Sequence, residues 1–163
     1  MTTLTSTVPG AVGVLQGHFQ AVADALPDLN ILVYTGIPAG TKPEQNFLMI
    51  GNEAGQLLAG YHQDWAGMPA SAERRSEEYG ILCTIRALAG GNDPMDRMAD
   101  AFTMWDAVLA ELQSDPKASG SITPSGSWQV VGMDVPAWGP LGGKGTGMAI
   151  TFTVEVSNVR LTS

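Results

Sequence analysis

The fold is decided by the stretch Tyr79-Gly-Ile-Leu-Cys-Thr-Ile-Arg-Ala-Leu-Ala89, which predicts a buried strand. Side chains alternate across a strand, so one face of this stretch is apolar or aromatic throughout. That face consists of Tyr79, Ile81, Cys83, Ile85 and Ala87. The corner Gly90-Gly91-Asn92 follows, and a long helix comes after it. We expect the remaining chain to pack around this unit, which runs from Glu77 to Leu112.

The helix of this unit has clear start and stop signals. Asp93 is a good N-cap, Pro94 suits the first helical position, and Asp96 places negative charge at the positive helix end. Asp115-Pro116 ends the helix. Apolar residues recur at steps of three and four, which predicts one buried stripe: Met95, Met98, Phe102, Trp105, Leu109 and Leu112.

An earlier helix is predicted between Thr7, its cap, and Pro27, which stops it, while residues 1–6 are expected to be loose. Its predicted apolar stripe is Val12, Leu15, Phe19, Val22 and Leu26. Gly10, Gly13 and Gly17 each weaken this helix by about 1 kcal/mol relative to alanine. Packing must therefore hold it, and the glycines would allow a close neighbour.

The other predicted elements are strands and loops. Residues 30–35 and 46–50 are predicted to form a β-hairpin with a long loop, and Leu57 to Tyr61 a short strand. An ordered loop anchored by Trp65 is expected over residues 63–71. Towards the C-terminal side we predict a strand over 127–135 with a bulge at its glycine, a glycine-rich loop over 136–147, and a strand over 148–156 with a bulge near Ser157-Asn158.

These elements predict one α+β domain over residues 1–163, with a mostly antiparallel sheet of about five strands and two long helices packed on one face. On the final strand, Met148, Ile150, Phe152, Val154 and Val156 would face the helices. Thr151, Thr153 and Glu155 would then lie on the other face, exposed or against a neighbouring subunit.

Composition excludes several classes of protein. The chain has 16 acidic and 8 basic residues, a net charge of −8, which argues against tight nucleic-acid binding. A single cysteine rules out an internal disulfide and fits a reducing compartment. We expect no signal peptide and no membrane-spanning segment. Sparse charge (15%) and 20 glycines favour a protein whose surface is partly covered by partners.

The sequence offers little catalytic chemistry. Cys83 lies on the apolar face of its strand, which favours a small core residue over a nucleophile. His18 and His62 are too few for a metal site without carboxylates, and no third ligand accompanies His62 and Asp64. Gly139 to Thr146 lacks the spacing and the following helix of a phosphate-binding loop. We therefore expect no catalytic residue, no metal and no cofactor.

Contacts with partners are the remaining candidates for function. Trp65, Trp128 and Trp138 lie in or beside predicted loops, where tryptophan is suited either to an interface or to burial within the fold. Arg74 and Arg75 form the largest basic cluster. Lys144 lies in the glycine-rich loop, which could order against another subunit. The predicted interface residues are Trp65, Arg74, Arg75, Trp138 and Lys144.

Several runs of the sequence resemble one protein family. These runs are Gln63-Asp-Trp-Ala-Gly-Met, Ala72-Glu-Arg-Arg-Ser-Glu-Glu-Tyr-Gly-Ile-Leu-Cys83, Ala87-Leu-Ala-Gly-Gly-Asn-Asp93 and Gly147-Met-Ala-Ile-Thr-Phe-Thr-Val-Glu-Val156. With the long helix, they resemble tail terminator (tail completion) proteins of long-tailed bacteriophages, especially those of actinobacterial hosts. The resemblance starts at about residue 30 and consists of an order of elements with loose residue preferences. The glycine-rich first helix departs from it.

The resemblance implies a structural virion protein and no enzyme. It implies a homo-oligomer, a hexameric ring, that caps the head-proximal end of the tail tube, stops tube growth and joins the tail to the neck. The partners would be the tail tube protein and a head–tail connector or neck protein, and DNA would pass through the ring without specific binding. The protein would be assembled in the host cytoplasm. An acidic chain is compatible with this, because anionic walls repel the DNA backbone.

Three alternatives stay open at this point. The protein could form another ring of the same particle, a head–tail connector or a tail tube subunit, and a tube subunit would stack into long tubes. It could instead be a small cytoplasmic enzyme that uses Cys83 with His18 or His62. A monomeric binding module is a third, and light scattering would identify it.

Overall fold

The computed structural model describes residues 5–36, 45–65, 74–88, 93–122, 125–134, 137–140 and 146–162. This part of the chain contains two long helices, α1 (Val8–Ala25) and α2 (Pro94–Ser114). Its strands are β1 (Leu32–Thr35), β2 (Phe47–Ile50), β3 (Leu58–Trp65), β4 (Arg74–Ala87), β5 (Ser127–Met133), β6 (Ala137–Pro140) and β7 (Thr146–Thr162). Both helices pack against one face of a single, mostly antiparallel sheet, which confirms the predicted α+β class.

Two long antiparallel strands, β4 and β7, form the centre of the sheet. Strands β2 and β3 pair with different halves of the outer side of β4, and β5 and β6 pair with different halves of the outer side of β7. Strand β1 pairs with β2. The sheet is therefore five strands wide in the order β1-β2-β4-β7-β5, although seven segments build it.

The predicted hairpin between the first two strands is wrong, because β1 and β2 run parallel. The Leu32 N–H donates to the Asn46 carbonyl at 2.9 Å, and the Gly36 N–H donates to the Ile50 carbonyl at 2.8 Å. The Asn46 side chain fixes this arrangement, since its Nδ2 donates to the Leu29 carbonyl and its Oδ1 accepts from the Leu88 N–H. The predicted connecting loop lies largely outside the described residues.

Two predicted loops are partly strand. Residues 63–65 continue β3, which pairs with β4 from Arg75 to Ile81 and is longer than the predicted strand. Residues 137–140 form β6, which pairs with residues 146–149 of β7 and turns the predicted loop over 136–147 into a hairpin. Both segments are strands because their backbones pair with a neighbouring strand. Their side-chain patterns alone do not predict a strand. Residues 136 and 141–145 of that loop lie outside the described residues.

The buried stripe of α2 differs from the predicted one. Asp93 caps the helix by accepting from the Met95 N–H at 2.9 Å, and the helix ends at Ser114, as predicted. Met95, however, is 61% exposed. The buried residues of α2 are Arg97, Ala101, Met104, Trp105, Val108 and Leu112, whereas Met98, Phe102 and Leu109 are half-buried at the edge of the stripe.

The core lies between the helices and the predicted apolar faces of β4 and β7. All five residues of the β4 face and all five of the β7 face are buried. From α1, the core takes Ala11, Leu15, Phe19, Val22 and Ala23, so Val12 and Leu26 lie at its margin. The predicted bulges are confirmed at Gly132 (φ 62°) and at Asn158 (φ 59°), where the register shifts and Val159 returns to the core.

Neither long helix of the described chain has an apolar stretch of the length that crosses a membrane.

Candidate assembly surfaces

An apolar groove runs between α2 and the edge strand β5. It has a volume of about 450 Å³, and its lining includes Trp105, Leu109, Leu112, Trp128, Val130 and Met133. Met133 is 40% exposed. Exposed apolar surface of this kind is typical of contacts with another protein or ligand.

The face of the sheet opposite the helices is acidic and largely open around β3, β4 and β7. Glu78 and Glu155 are exposed there, and they line a shallow hollow of about 330 Å³ with Gly80 and Thr153. Beside them, His62 Nε2 lies 3.1 Å from Asp64 Oδ1, with both side chains about 70% exposed. Towards β2 the same face is closed, and Phe47, Met49, Thr84 and Arg86 are buried.

Strands β3 and β5 each lie at an edge of the sheet, although part of the β5 edge is covered, because the Trp128 N–H donates to the Pro116 carbonyl at 3.1 Å. Strand β3 pairs only with β4, and β5 pairs only with β7, among the described residues. Residues 59–62 on β3 are exposed, including Tyr61 at 45%. Edge strands present unpaired backbone groups, which pair readily with another chain.

The structure places the predicted interface residues at different positions. Trp65 and Arg74 lie at the ends of β3 and β4 and Trp138 lies in β6, but only their backbones are described. Arg75 is 9% exposed and contacts Glu77 within the chain. Lys144 lies outside the described residues. Trp128 is buried, and its Nε1 donates to the Asp115 carbonyl at 2.6 Å. For the five predicted residues, a role at an interface stays a prediction.

A buried carboxylate, Glu77, holds the largest polar cluster that sequence reasoning missed. Its Oε2 accepts from the Thr7 N–H and the Thr7 hydroxyl, both at 2.9 Å. Its Oε1 accepts from the Tyr61 hydroxyl at 2.8 Å, Gln63 Nε2 at 3.2 Å and Arg75 at 3.3 Å. The sequence does carry one signal of this buried carboxylate: Glu77 lies on the same strand face as the apolar series that begins at Tyr79.

A second polar cluster ties α1 to the end of α2. His18 lies between two carboxylates, with Nδ1 at 2.9 Å from Glu111 and Nε2 at 3.0 Å from Asp115. The Ser119 hydroxyl donates to Asp115 at 2.7 Å. Burial alone would raise the pKa of Asp115, but the hydrogen bonds from Ser119 and His18 lower it overall. His18 is thereby engaged on both ring nitrogens, which suits a structural tie between helices.

Cys83 is placed as the sequence predicts. It is 1% exposed, and its Sγ lies 3.8 Å from the Ile81 carbonyl. Burial strongly raises the pKa of its thiol, so the thiolate that a nucleophile requires is disfavoured. Of the two histidines named for an enzymatic role, His18 lies between Glu111 and Asp115, and His62 lies on the exposed face of β3 beside Asp64.

Within the described residues, no group of three or more His, Cys, Asp and Glu side chains is arranged to hold a metal ion. Comparison of the sequence with protein-family models and with curated proteins gives no match.

Proposed function

We propose that this protein is a tail terminator subunit of a long-tailed bacteriophage, which forms a ring on the head-proximal end of the tail tube. The ring stops tube growth and joins the tail to the neck. The observation that carries the proposal is the sequence resemblance, whose two longest runs fall mainly on β4 and β7. A one-domain fold with open sheet edges, an apolar groove and a buried cysteine supports an assembly role over catalysis.

Ring closure would use the two edges of the sheet. Strand β3 runs antiparallel to β4, β4 to β7, and β7 to β5, so β3 and β5 run in opposite directions. The β3 edge of one subunit beside the β5 edge of the next would continue the antiparallel order. Such a head-to-tail contact repeats until the ring closes. Tyr61, exposed on β3, would then approach the groove that contains Met133.

The acidic face of the sheet is the best candidate for the wall of the channel. It carries Glu78, Glu155, Asp64 and Asp134, with Arg160 at one end. Anionic side chains repel the phosphate backbone, which lets DNA pass without adhering. The helices, on the other face, would then lie on the outside of the ring.

Met133→Glu should convert the ring into folded monomers. A carboxylate in an apolar contact loses its hydration without a compensating partner, so we expect subunit association to weaken about 100-fold or more. Because Met133 is 40% exposed in the subunit, the circular dichroism spectrum and melting temperature should change little. Size-exclusion chromatography with light scattering measures the oligomer.

Met95→Glu is the matched control. Met95 is 61% exposed in the first turn of α2, where an acidic residue favours the helix. This variant should assemble like the wild type. Normal rings from Met133→Glu, or equal loss of rings in both variants, would show that the groove is not the subunit contact.

Deletion of the gene from the phage tests the function itself. Without a terminator the tube end keeps recruiting subunits, so electron microscopy of the lysate should show filled heads without tails and unjoined tails of irregular or excessive length. Complementation with the wild-type gene should restore virions. Normal joined virions, or a block confined to head filling, would refute the proposal. Purified protein that stacks into long tubes would instead identify a tube subunit.

A further inference from the structure

The Glu77 carboxylate joins three segments that are distant in the chain. Thr7 comes from the start of α1, Tyr61 and Gln63 from β3, and Arg75 from β4. Glu77 is 0% exposed, so these donors replace water around the carboxylate. A protonated carboxyl group keeps fewer acceptor positions and gains a donor that itself needs a partner. Protonation would therefore break several of these contacts at once.

The start of α1 depends on this carboxylate. Thr7 is the N-cap residue, but its side chain makes no capping hydrogen bond to its own helix, and the first turn contains no acidic residue. Its hydroxyl and its N–H are both turned to Glu77 instead. Glu77 thus supplies the negative charge that favours a helix N-terminus. Ser6 is fixed here as well, since its Oγ accepts from the Val8 N–H, so the predicted loose N-terminal segment is ordered at this residue.

The β3 segment that Glu77 holds has few other buried contacts, and at the start of α1 the first fully buried residue is Ala11. On β3, residues 59–62 are exposed, while β4 from Cys83 to Ala87 is buried. Loss of the Glu77 contacts should therefore open the β3 edge and the start of α1 without opening the core. Local opening of this kind is common where backbone hydrogen bonds are exposed and apolar contacts are few.

We propose that the Glu77 cluster (Thr7, Tyr61, Gln63, Arg75 and Glu77) is an acid-sensitive contact that closes the β3 edge and the first turn of α1 while Glu77 is ionised. Neutralising Glu77 frees both segments and leaves the core folded. The β3 edge thereby changes from a fixed strand to a mobile one in response to a single proton.

Electrostatics give the direction of the pH dependence. Burial alone would raise the pKa of Glu77, but hydrogen bonds from Thr7, Tyr61 and Ser6 outweigh it and lower the pKa below its ordinary value of 4.5. The cluster therefore contributes stability above about pH 4.5, and the contribution is lost as the pH falls through the lower pKa of the folded state.

The two tyrosines beside Glu77, Tyr61 of the cluster and Tyr79 next to it, stay neutral in this acidic range. Burial, partly opposed by the hydrogen bond to Thr7, raises the pKa of Tyr79 to about 12, and burial with the Glu77 hydrogen bond raises that of Tyr61. Arg75 is the positively charged neighbour of Glu77 in the cluster, at 3.3 Å from its Oε1. The β7 residue opposite Glu77 is Val159, which does not titrate. Acid acts on this cluster through Glu77.

Hydrogen exchange with mass spectrometry tests the proposal on Glu77→Gln and on Glu78→Gln, a neighbouring exposed residue of the opposite sheet face. At pH 7, Glu77→Gln should raise exchange about tenfold or more in residues 8–12 and 58–65, because bonds to a charged acceptor are lost. Residues 81–87 and 101–112 should keep wild-type protection. Glu78→Gln should match the wild type throughout.

The wild-type protein gives an independent test if Glu77→Gln does not fold. The protection of its amide hydrogens is first corrected for the intrinsic pH dependence of exchange. As the pH is lowered from 6 to 3, this protection should fall in residues 8–12 and 58–65 before it falls in residues 81–87. Equal protection in the two variants would overturn the proposal. So would a loss of protection that is uniform along the chain, which would make Glu77 a contributor to global stability only.

Discussion

Replacement of Phe152 by alanine should lower the free energy of unfolding by about 3–5 kcal/mol. Phe152 is 2% exposed in the middle of β7, and its ring contacts one aromatic residue from each helix. The ring centroids lie 5.0 Å from Trp105 of α2 and 6.4 Å from Phe19 of α1. Alanine would leave a cavity where both helices meet the sheet. Chemical denaturation followed by tryptophan fluorescence and circular dichroism measures the loss.

Phe102→Ala is the matched control for this prediction. The same side chain is removed, but Phe102 is half-buried at the edge of the α2 stripe. Removal of the Phe102 ring exposes less buried apolar surface than removal of the Phe152 ring, and the site is more open to solvent. We therefore expect the free energy of unfolding to fall by about 1–2 kcal/mol. Equal losses from the two variants would contradict the assignment of Phe152 to the centre of the core.

Gly126→Ala should destabilise the protein by about 3 kcal/mol or more, because the site has no room for a methyl group. Gly126 is buried just before β5, and its N–H donates to the Ile122 carbonyl at 3.0 Å. A Cβ there would overlap that same carbonyl oxygen and would lie 2.8 Å from Val159 Cγ2. Backbone atoms make the overlap, so rotation of a side chain does not relieve it. Thermal unfolding should show a clearly lowered melting temperature.

Alanine at Gly13 or Gly17 should have the opposite effect. Both glycines lie in α1 with nothing within 4 Å of an added Cβ, so neither provides the close approach that the sequence suggested. Alanine favours a helix interior over glycine by about 1 kcal/mol, and each change should therefore raise stability. A gain from Gly126→Ala, or losses of similar size at all three positions, would contradict this account of the glycines.

Helix ends and the alternating strands follow from local chemistry, which is why sequence reasoning reached them. Asp93 and Pro94 mark the start of α2 through the geometry of the first turn alone. The two buried faces of the central strands follow from a period of two. The sequence also predicts the bulge at Asn158, because Val159 breaks the alternation of apolar and polar residues along β7.

Tertiary contacts decide what the sequence left ambiguous. Two overlapping stripes with helical spacing lie on α2, and the sheet selects the one containing Met104 and Val108 over the one containing Met95 and Phe102. A short continuous apolar run such as β1 or β2 is consistent with a buried strand in either a parallel sheet or a sandwich core, so it does not give the strand direction. In the structure, the Asn46 side chain at the start of β2 hydrogen-bonds to Leu29 and Leu88, and no periodicity identifies this residue.

The candidate assembly surfaces were harder to predict than the fold. The sequence predicts an interface at tryptophan and basic residues. The apolar groove, in contrast, is lined by Met133 and Val130 together with residues of α2, which are distant from them in the chain. Arg75 was selected for its charge, and the structure shows it in contact with the buried Glu77. A surface made by two elements becomes recognisable only once their packing is known.

The pairing of β4 with β7 has a consequence for how the chain folds. Residues 88–145 lie between these two strands, so their hydrogen bonds form only after a long loop has closed. Contacts so distant in sequence give a high contact order, which slows folding. Before β7 pairs with β4, only the helices can cover the apolar face of β4. The backbone edge of β4 that later pairs with β7 is then open to other chains. Aggregation during production should therefore depend on how quickly this one pairing is made.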